Sequence, residues 1–176
     1  MKTRPDNEGD FERNLLRLGA DLFPFAHVID WKPRAPTPSG ESTHPDMAVI
    51  AHDLSAWWIV EVEVIKNLSY SREHIAKQLA KQSRADWNAI THKLVNPLEA
   101  LGYSRQRAIQ LGNITPGFLL ICDAFDETVL AIASENNFRY MVAEPYVSDI
   151  GGSGFNITRK GIAINPPESG LFFDLG

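Results

Sequence analysis

The sequence predicts a mixed α/β layer fold in which an antiparallel hairpin feeds a central sheet flanked by helices. Three observations predict it. Residues 44–66, HPDMAVIAHDLSAWWIVEVEVIK, contain two apolar runs joined by a short turn. Residues 71–91, SREHIAKQLAKQSRADWNAIT, have helical periodicity. Residues 117–122, GFLLIC, form a short and strongly apolar run, which suits a strand buried on both faces.

The elements follow in order. In residues 8–22, EGDFERNLLRLGADL, Phe11, Leu15, Leu18 and Leu22 share one helical face. Residues 25–31, FAHVIDW, read as a strand, and KPRAPTPSGESTH after it reads as loop. At about a dozen residues, that loop exceeds the usual connection, which hints at function. Residues 46–51 and 57–65 form the hairpin. The inward stripe of the 71–91 helix is Ile75, Ala76, Leu79, Ala80, Ser83, Trp87 and Ile90. Pro97 ends or interrupts helical structure, and 98–111 suits a further short helix. A helix over 126–136 starts at Asp126 or the preceding turn, and 138–143 suits another strand. Residues 1–145 make the main body; residues 146–176, with Gly-rich turns and short alternating runs, make a C-terminal β extension of the same domain.

Bulk properties narrow the class. At 176 residues the chain suits one domain with a sizeable core, and 44% hydrophobic with 22% charged residues favours neither disorder nor a membrane protein. No apolar run reaches the roughly 18 residues of a membrane span, and the polar start lacks the apolar region of a secretory signal. The one cysteine, Cys122, excludes an internal disulfide and suits a buried thiol. A cytoplasmic location is the expectation. The net charge of −5 argues against a generic nucleic-acid binder. Charge is unevenly placed, however. Residues 66–108 hold eight basic and three acidic side chains, while the rest of the chain holds nine and nineteen. Such a segment can present a positive face to a polyanion, although a solvated helical surface is the plainer reading.

Two acids stand inside WWIVEVEVI. Side chains alternate along a strand, so Trp57, Ile59, Glu61, Glu63 and Ile65 point one way and Trp58, Val60, Val62 and Val64 the other. A turn centred on Leu54-Ser55 places Asp46 opposite Glu63, with Glu61 diagonal on the same face. The plain reading is that both glutamates face solvent. Against it, their face also carries Trp57, Ile59 and Ile65. Unit charges about 4 Å apart repel by roughly 4 kcal/mol at an effective dielectric near 20. A fold keeps such a cluster when a cation sits in it or one acid holds a proton. Carboxylates with no His or Cys companion suit a hard ion such as Mg²⁺ or Mn²⁺, and such sites commonly handle phosphates.

Pro45-Asp46, then fourteen residues, then Glu61-Val62-Glu63 resembles the PD-(D/E)xK nuclease superfamily. The similarity covers the layout of residues 8–145 as well: helix, three-strand meander, helix, strand. It implies a restriction-endonuclease-like core, with Mg²⁺ (or Mn²⁺) held by Asp46, Glu61 and the carbonyl of Val62. Glu12, on the apolar side of the first helix, matches a glutamate that many members place near the metal. Gln78 resembles a glutamine that some branches carry on the following helix, with Gln82 at the edge of the inward stripe. Glu63 departs from the pattern, because the family has lysine there. Some type II restriction enzymes resemble this sequence in carrying Glu at that position, so the change need not abolish cleavage, and Glu63 would take the place of the lysine as a ligand or a water-orienting base. No substitute is obvious: Lys66 points to the other face, and Lys77, Lys81 and Arg84 lie off the inward stripe. Those last three suit DNA backbone phosphates.

The implied activity is metal-dependent phosphodiester hydrolysis, with DNA the favoured substrate and a homodimer able to cut both strands. One alternative is a catalytically inactive nuclease-fold module that binds nucleic acid or protein in a larger assembly. Another is an unrelated α/β domain whose EVEV strand is plain surface. Other motifs carry less. His44 stands beside Pro45, and the remaining histidines lack metal-ligand spacing. GGSG at 151–154 lacks the Lys and helix of a phosphate loop.

Overall fold

The computed structural model describes residues 7–65, 68–147 and 153–158. Helix α1 (Glu8–Arg17) starts at Asn7, whose side chain accepts the Asp10 N–H at 2.9 Å. The expected single helix over 8–22 is broken at Leu18 and resumes as α2 (Gly19–Leu22). Gly19 lies where a Cβ would stand 2.7 Å from Val28 Cγ2, so the chain must be bare here to pass the neighbouring strand. That strand is β1 (Ala26–Asp30). The long loop after it carries a two-stranded ribbon, β2 (Ala35–Pro36) with β3 (Ser42–Thr43). Then come β4 (Met47–Ala51), β5 (Trp57–Glu63) and α3 (Leu68–Gln82).

Helix α3 stops nine residues short of the expected end, and a 3-10 helix follows at Asn88–Leu94. Tertiary packing accounts for this. The Trp87 indole N–H donates to the Gln82 carbonyl at 2.8 Å, which draws Trp87 back under the helix end. In α4 (Val95–Ala100) Pro97 sits in the first turn, where its missing N–H costs nothing. The expected helix over 98–111 is divided. Gly102 (φ +93°) closes α4, and Ser104 caps α5 (Arg105–Gln110). The rest are β6 (Gly117–Cys122), α6 (Glu127–Glu135) capped by Asp126, β7 (Phe138–Val147) and β8 (Ser153–Thr158).

Six strands form one mixed sheet in the order β1-β4-β5-β6-β7-β8. The β1-β4-β5 meander is antiparallel, β5, β6 and β7 run parallel, and β8 is antiparallel to β7. The fold is therefore α/β, a mixed sheet flanked by helices. One face of the sheet, with Val49, Trp58, Val60, Val62 and Ile121, packs on Phe11 and Leu15 of α1. The other face carries two clusters. Ile50, Trp57 and Ile59 pack on the helices of residues 88–111, and Leu120 and Cys122 pack on Ile75 and Leu79 of α3 and Val129 of α6. Every residue of β5 is buried, as a central strand requires.

The hairpin register differs from the expected one by two residues. Met47 pairs with Val60, and the turn centres on Asp53-Leu54. The Asp53 carboxylate accepts the Ser55 N–H at 2.9 Å and the Ser55 hydroxyl at 2.6 Å, while Leu54 adopts φ +61°. A shift of two leaves every side chain on its expected face, because the strand period is two. Asp46, expected opposite Glu63, instead lies at a bend just before β4, with its N–H on the Val60 carbonyl at 3.0 Å. Among the described residues no helix is long and apolar enough to cross a membrane. The readings of Lys66, residues 1–6 and residues 159–176 lie outside the described residues.

Candidate active site

Pairing between β4 and β5 ends at Met47 and Val60, but β5 runs on to Glu63. The next β5 amide in need of an acceptor is that of Val62. Asp46 supplies it, with Oδ2 accepting the Val62 N–H at 2.8 Å. This bond brings the Asp46 carboxylate against the end of β5 that carries Glu61 and Glu63. All three are buried: 7% exposed at Asp46, 4% at Glu61 and 5% at Glu63. The solvent-facing reading of EVEV is thereby excluded. Helix α3 covers that face, with Ile75 and Leu79 in one cluster with Ile65.

The electrostatics follow from this confinement. Burial pushes the Glu61 carboxyl well above its usual range, and the Asp46 charge adds to it. Burial, then the charges of Glu8 and Asp46, push Glu63 up to about 8. Burial pushes Asp46 up to about 6, against the Val62 N–H and with help from the charges of Glu12 and Glu8. Burial thus favours the protonated form of both glutamates, and without an added cation Glu63 holds its proton near neutral pH.

Polar groups converge on the acids from three elements. Gln82 is fully buried at the end of α3, and its Nε2 donates to Glu61 Oε2 and, at 3.1 Å, to the His44 carbonyl. Its Oε1 is buried with no partner among the described residues. Gln78, one turn earlier, also hydrogen-bonds Glu61. His74 brings Nε2 to 3.8 Å from Glu63 Oε1. Glu12 lies on α1, 9% exposed, as its place on the apolar side of that helix implied. Its partner is Lys32, whose Nζ is 2.7 Å from both Glu12 oxygens and 4.0 Å from Asp46 Oδ1.

Two contributors escaped the sequence reading. Glu8 precedes Glu12 by one helical turn, and the i, i+4 pair of acids was a signal that could have found it. Lys32 lies in an irregular segment just after β1, where no periodicity points to it. The basic residues assigned to DNA are placed differently from the acids. Lys77 is ion-paired with Glu73 at 2.6 Å and Lys81 with Glu41 at 2.8 Å, and Arg84 is exposed. His44 is exposed and contributes its carbonyl to Gln82.

Among the described residues no three His, Cys, Asp or Glu side chains are drawn together closely enough to hold one ion. The Gln82 amide and the Lys32 ammonium stand among these acids. No family model, curated protein or solved structure matches the chain.

Proposed function

We propose that the chain is a metal-dependent phosphodiesterase with a restriction-endonuclease-like core, acting on DNA. The observation that carries this reading is the burial of Asp46 beside Glu61 and Glu63, offset among the described residues by hydrogen-bond donors, Lys32 and the His74 ring. Keeping three acids in a low-dielectric place costs stability, and such costs cluster at sites that do chemistry. The donor set is all oxygen, which fits Mg²⁺ or Mn²⁺. Asp46, Glu61 and the Val62 carbonyl would hold the ion, with Glu12 one helix away. A bound ion supplies charge stabilisation to the phosphoryl oxygens and lowers the pKa of the attacking water.

The chain's own residues do the rest. The Val62 N–H holds Asp46, and Gln78 and Gln82 hold Glu61. Glu63 keeps its proton near neutral pH in the metal-free protein; the positive charge of a bound ion would lower its proton affinity and free the carboxylate to take a proton from water. Lys77 and Lys81 would exchange their local acids for backbone phosphates, the exposed Arg84 would reach a further phosphate, and two copies would serve the two strands. A second reading, an inactive nuclease-fold module, is favoured by Glu63 in the lysine position and by the Lys77 and Lys81 ion pairs.

The test is cleavage of supercoiled plasmid and short single-stranded DNA with Mg²⁺, Mn²⁺ or EDTA. Asp46→Ala and Glu61→Ala proteins run alongside. Metal-dependent cutting lost in both variants is the expected result. Equal cutting by all three proteins would overturn the assignment.

A further inference from the structure

Lys32 follows Trp31, which is buried and packed edge-on against Trp57 at 5.8 Å between ring centroids. Its backbone is thus anchored beside the sheet. The side chain, 42% exposed, reaches in from solvent to two carboxylates on different elements, Glu12 of α1 and Asp46 before β4. Those two side chains are only 11% and 10% exposed. Asp46 Oδ2 is committed to the Val62 N–H. Asp46 Oδ1 is therefore the oxygen open to a cation, and it is the one that faces Lys32 Nζ.

We propose that Lys32 is the resident counter-ion of this carboxylate cluster and that a divalent cation displaces it. The inference rests on the metal-site reading above and adds a residue outside the resembling motif. An ion bound to Asp46 Oδ1 at about 2.1 Å would stand close to the ammonium, and like charges at such range repel strongly. Lysine is a point charge on a flexible stem with a solvent-exposed route outward, so it can leave without unfolding its surroundings. Its departure frees Glu12 from its ion pair at the moment the ion arrives. The metal-free protein thus keeps a cation beside Glu12 and Asp46, and the ion takes over that task when it binds.

The experiment has two arms. In the first, the wild-type protein is reductively methylated in EDTA or in Mn²⁺, and modification at Lys32 is measured by peptide mass spectrometry against exposed Lys93. Mn²⁺ should raise modification at Lys32 several-fold and leave Lys93 unchanged. In the second, Mn²⁺ binding to wild type, Lys32→Met and Lys32→Arg is followed by calorimetry. Lys32→Met should bind about tenfold tighter, the scale on which a single neighbouring group tunes metal affinity. Lys32→Arg, which keeps the charge, should stay near wild type. If wild type binds Mn²⁺ while Lys32 modification does not change and Lys32→Met binds no tighter, the displacement is wrong and the metal site stands. If no protein binds Mn²⁺, the metal site falls and the displacement with it. The first arm needs no variant to fold.

Discussion

The parallel strands β5 and β6 each end in buried acids, and the two groups are treated in opposite ways. After β6, Asp126 caps α6. Its Oδ1 accepts the Val129 N–H at 2.9 Å, and Arg72 reaches it at 3.3 Å through Nε and at 2.8 Å through Nη2. Its own N–H is met by the Tyr140 hydroxyl at 3.2 Å, which donates in turn to the Ala124 carbonyl at 3.0 Å. The Arg72 guanidinium beside it holds the Asp126 carboxyl below its usual range. At the end of β5, Asp46, Glu61 and Glu63 share one backbone N–H, two glutamine amides, a lysine 4.0 Å from Asp46 and a histidine 3.8 Å from Glu63, and all three are pushed up. Asp126, which serves the fold, has both oxygens matched, whereas Asp123 before it has Oδ1 on the Ile65 N–H at 2.7 Å and Oδ2 without a partner among the described residues. The three acids at the end of β5 are left short of positive charge, and under the proposed function that shortage is what a bound ion would supply.

The comparison can be broken most sharply at Glu61. Glu61→Ala should remove metal-dependent DNA cleavage down to background, measured by plasmid nicking. Asp126→Ala should leave cleavage in place under conditions where both proteins are folded.

The next effect concerns pH. The folded protein keeps the Glu63 proton up to about pH 8, whereas the unfolded chain releases it near the ordinary carboxylate value of 4.5. The folded state therefore binds more protons between those limits, and stability falls as pH rises through that window. In EDTA, the melting temperature of wild type should drop between pH 5 and pH 8. Glu63→Gln should flatten that drop and exceed wild type at pH 8. A difference of up to a few kcal/mol is expected, because each tenfold change in proton affinity on folding is worth about 1.4 kcal/mol. A variant that melts in parallel with wild type across the range would show that Glu63 is not the titrating group. Asp126 has the opposite sign. It contributes stability above the ordinary Asp value and loses it as the pH falls below that.

Gln82→Leu removes the amide that holds Glu61 without touching a carboxylate. Mn²⁺ affinity should weaken about 10- to 100-fold, the usual cost of losing an orienting partner, and calorimetry reads it directly. An unchanged affinity would make Gln82 a packing residue alone. The smallest effect is at the structural acid. Asp126→Ala should cost about 1 kcal/mol through loss of the helix cap, seen in urea denaturation, with Mn²⁺ affinity intact. A loss of metal binding there would erase the distinction between the two groups.

Much of the fold was legible because it is written in short-range patterns. Alternation sorted the residues of β5 onto two faces, and the apolar run 117–122 is the strand between β5 and β7. Asp126 announced the start of α6. The failures share a cause. The end of α3 depends on an indole meeting a carbonyl, the break at Leu18 on a strand passing Gly19, and the hairpin register on an Asp53 turn.

The sequence by itself determined the faces, because side-chain alternation is a property of the backbone and survives a register shift of two. It therefore put Glu61 and Glu63 on one face, whereas the Val62 N–H bond that brings Asp46 to them lies beyond the paired register. Only the tertiary structure decided what surrounds them. Burial under α3 raises their proton affinity, and the choice of Gln82 together with Gln78 depends on where α3 lies over β5. The arrival of Lys32 and Glu8 depends on how α1 and the segment after β1 fold back on the sheet. Long-range contacts leave no periodic trace in the chain, and for that reason the cation nearest Glu12 and Asp46 among the described residues is the one that the pattern could not name.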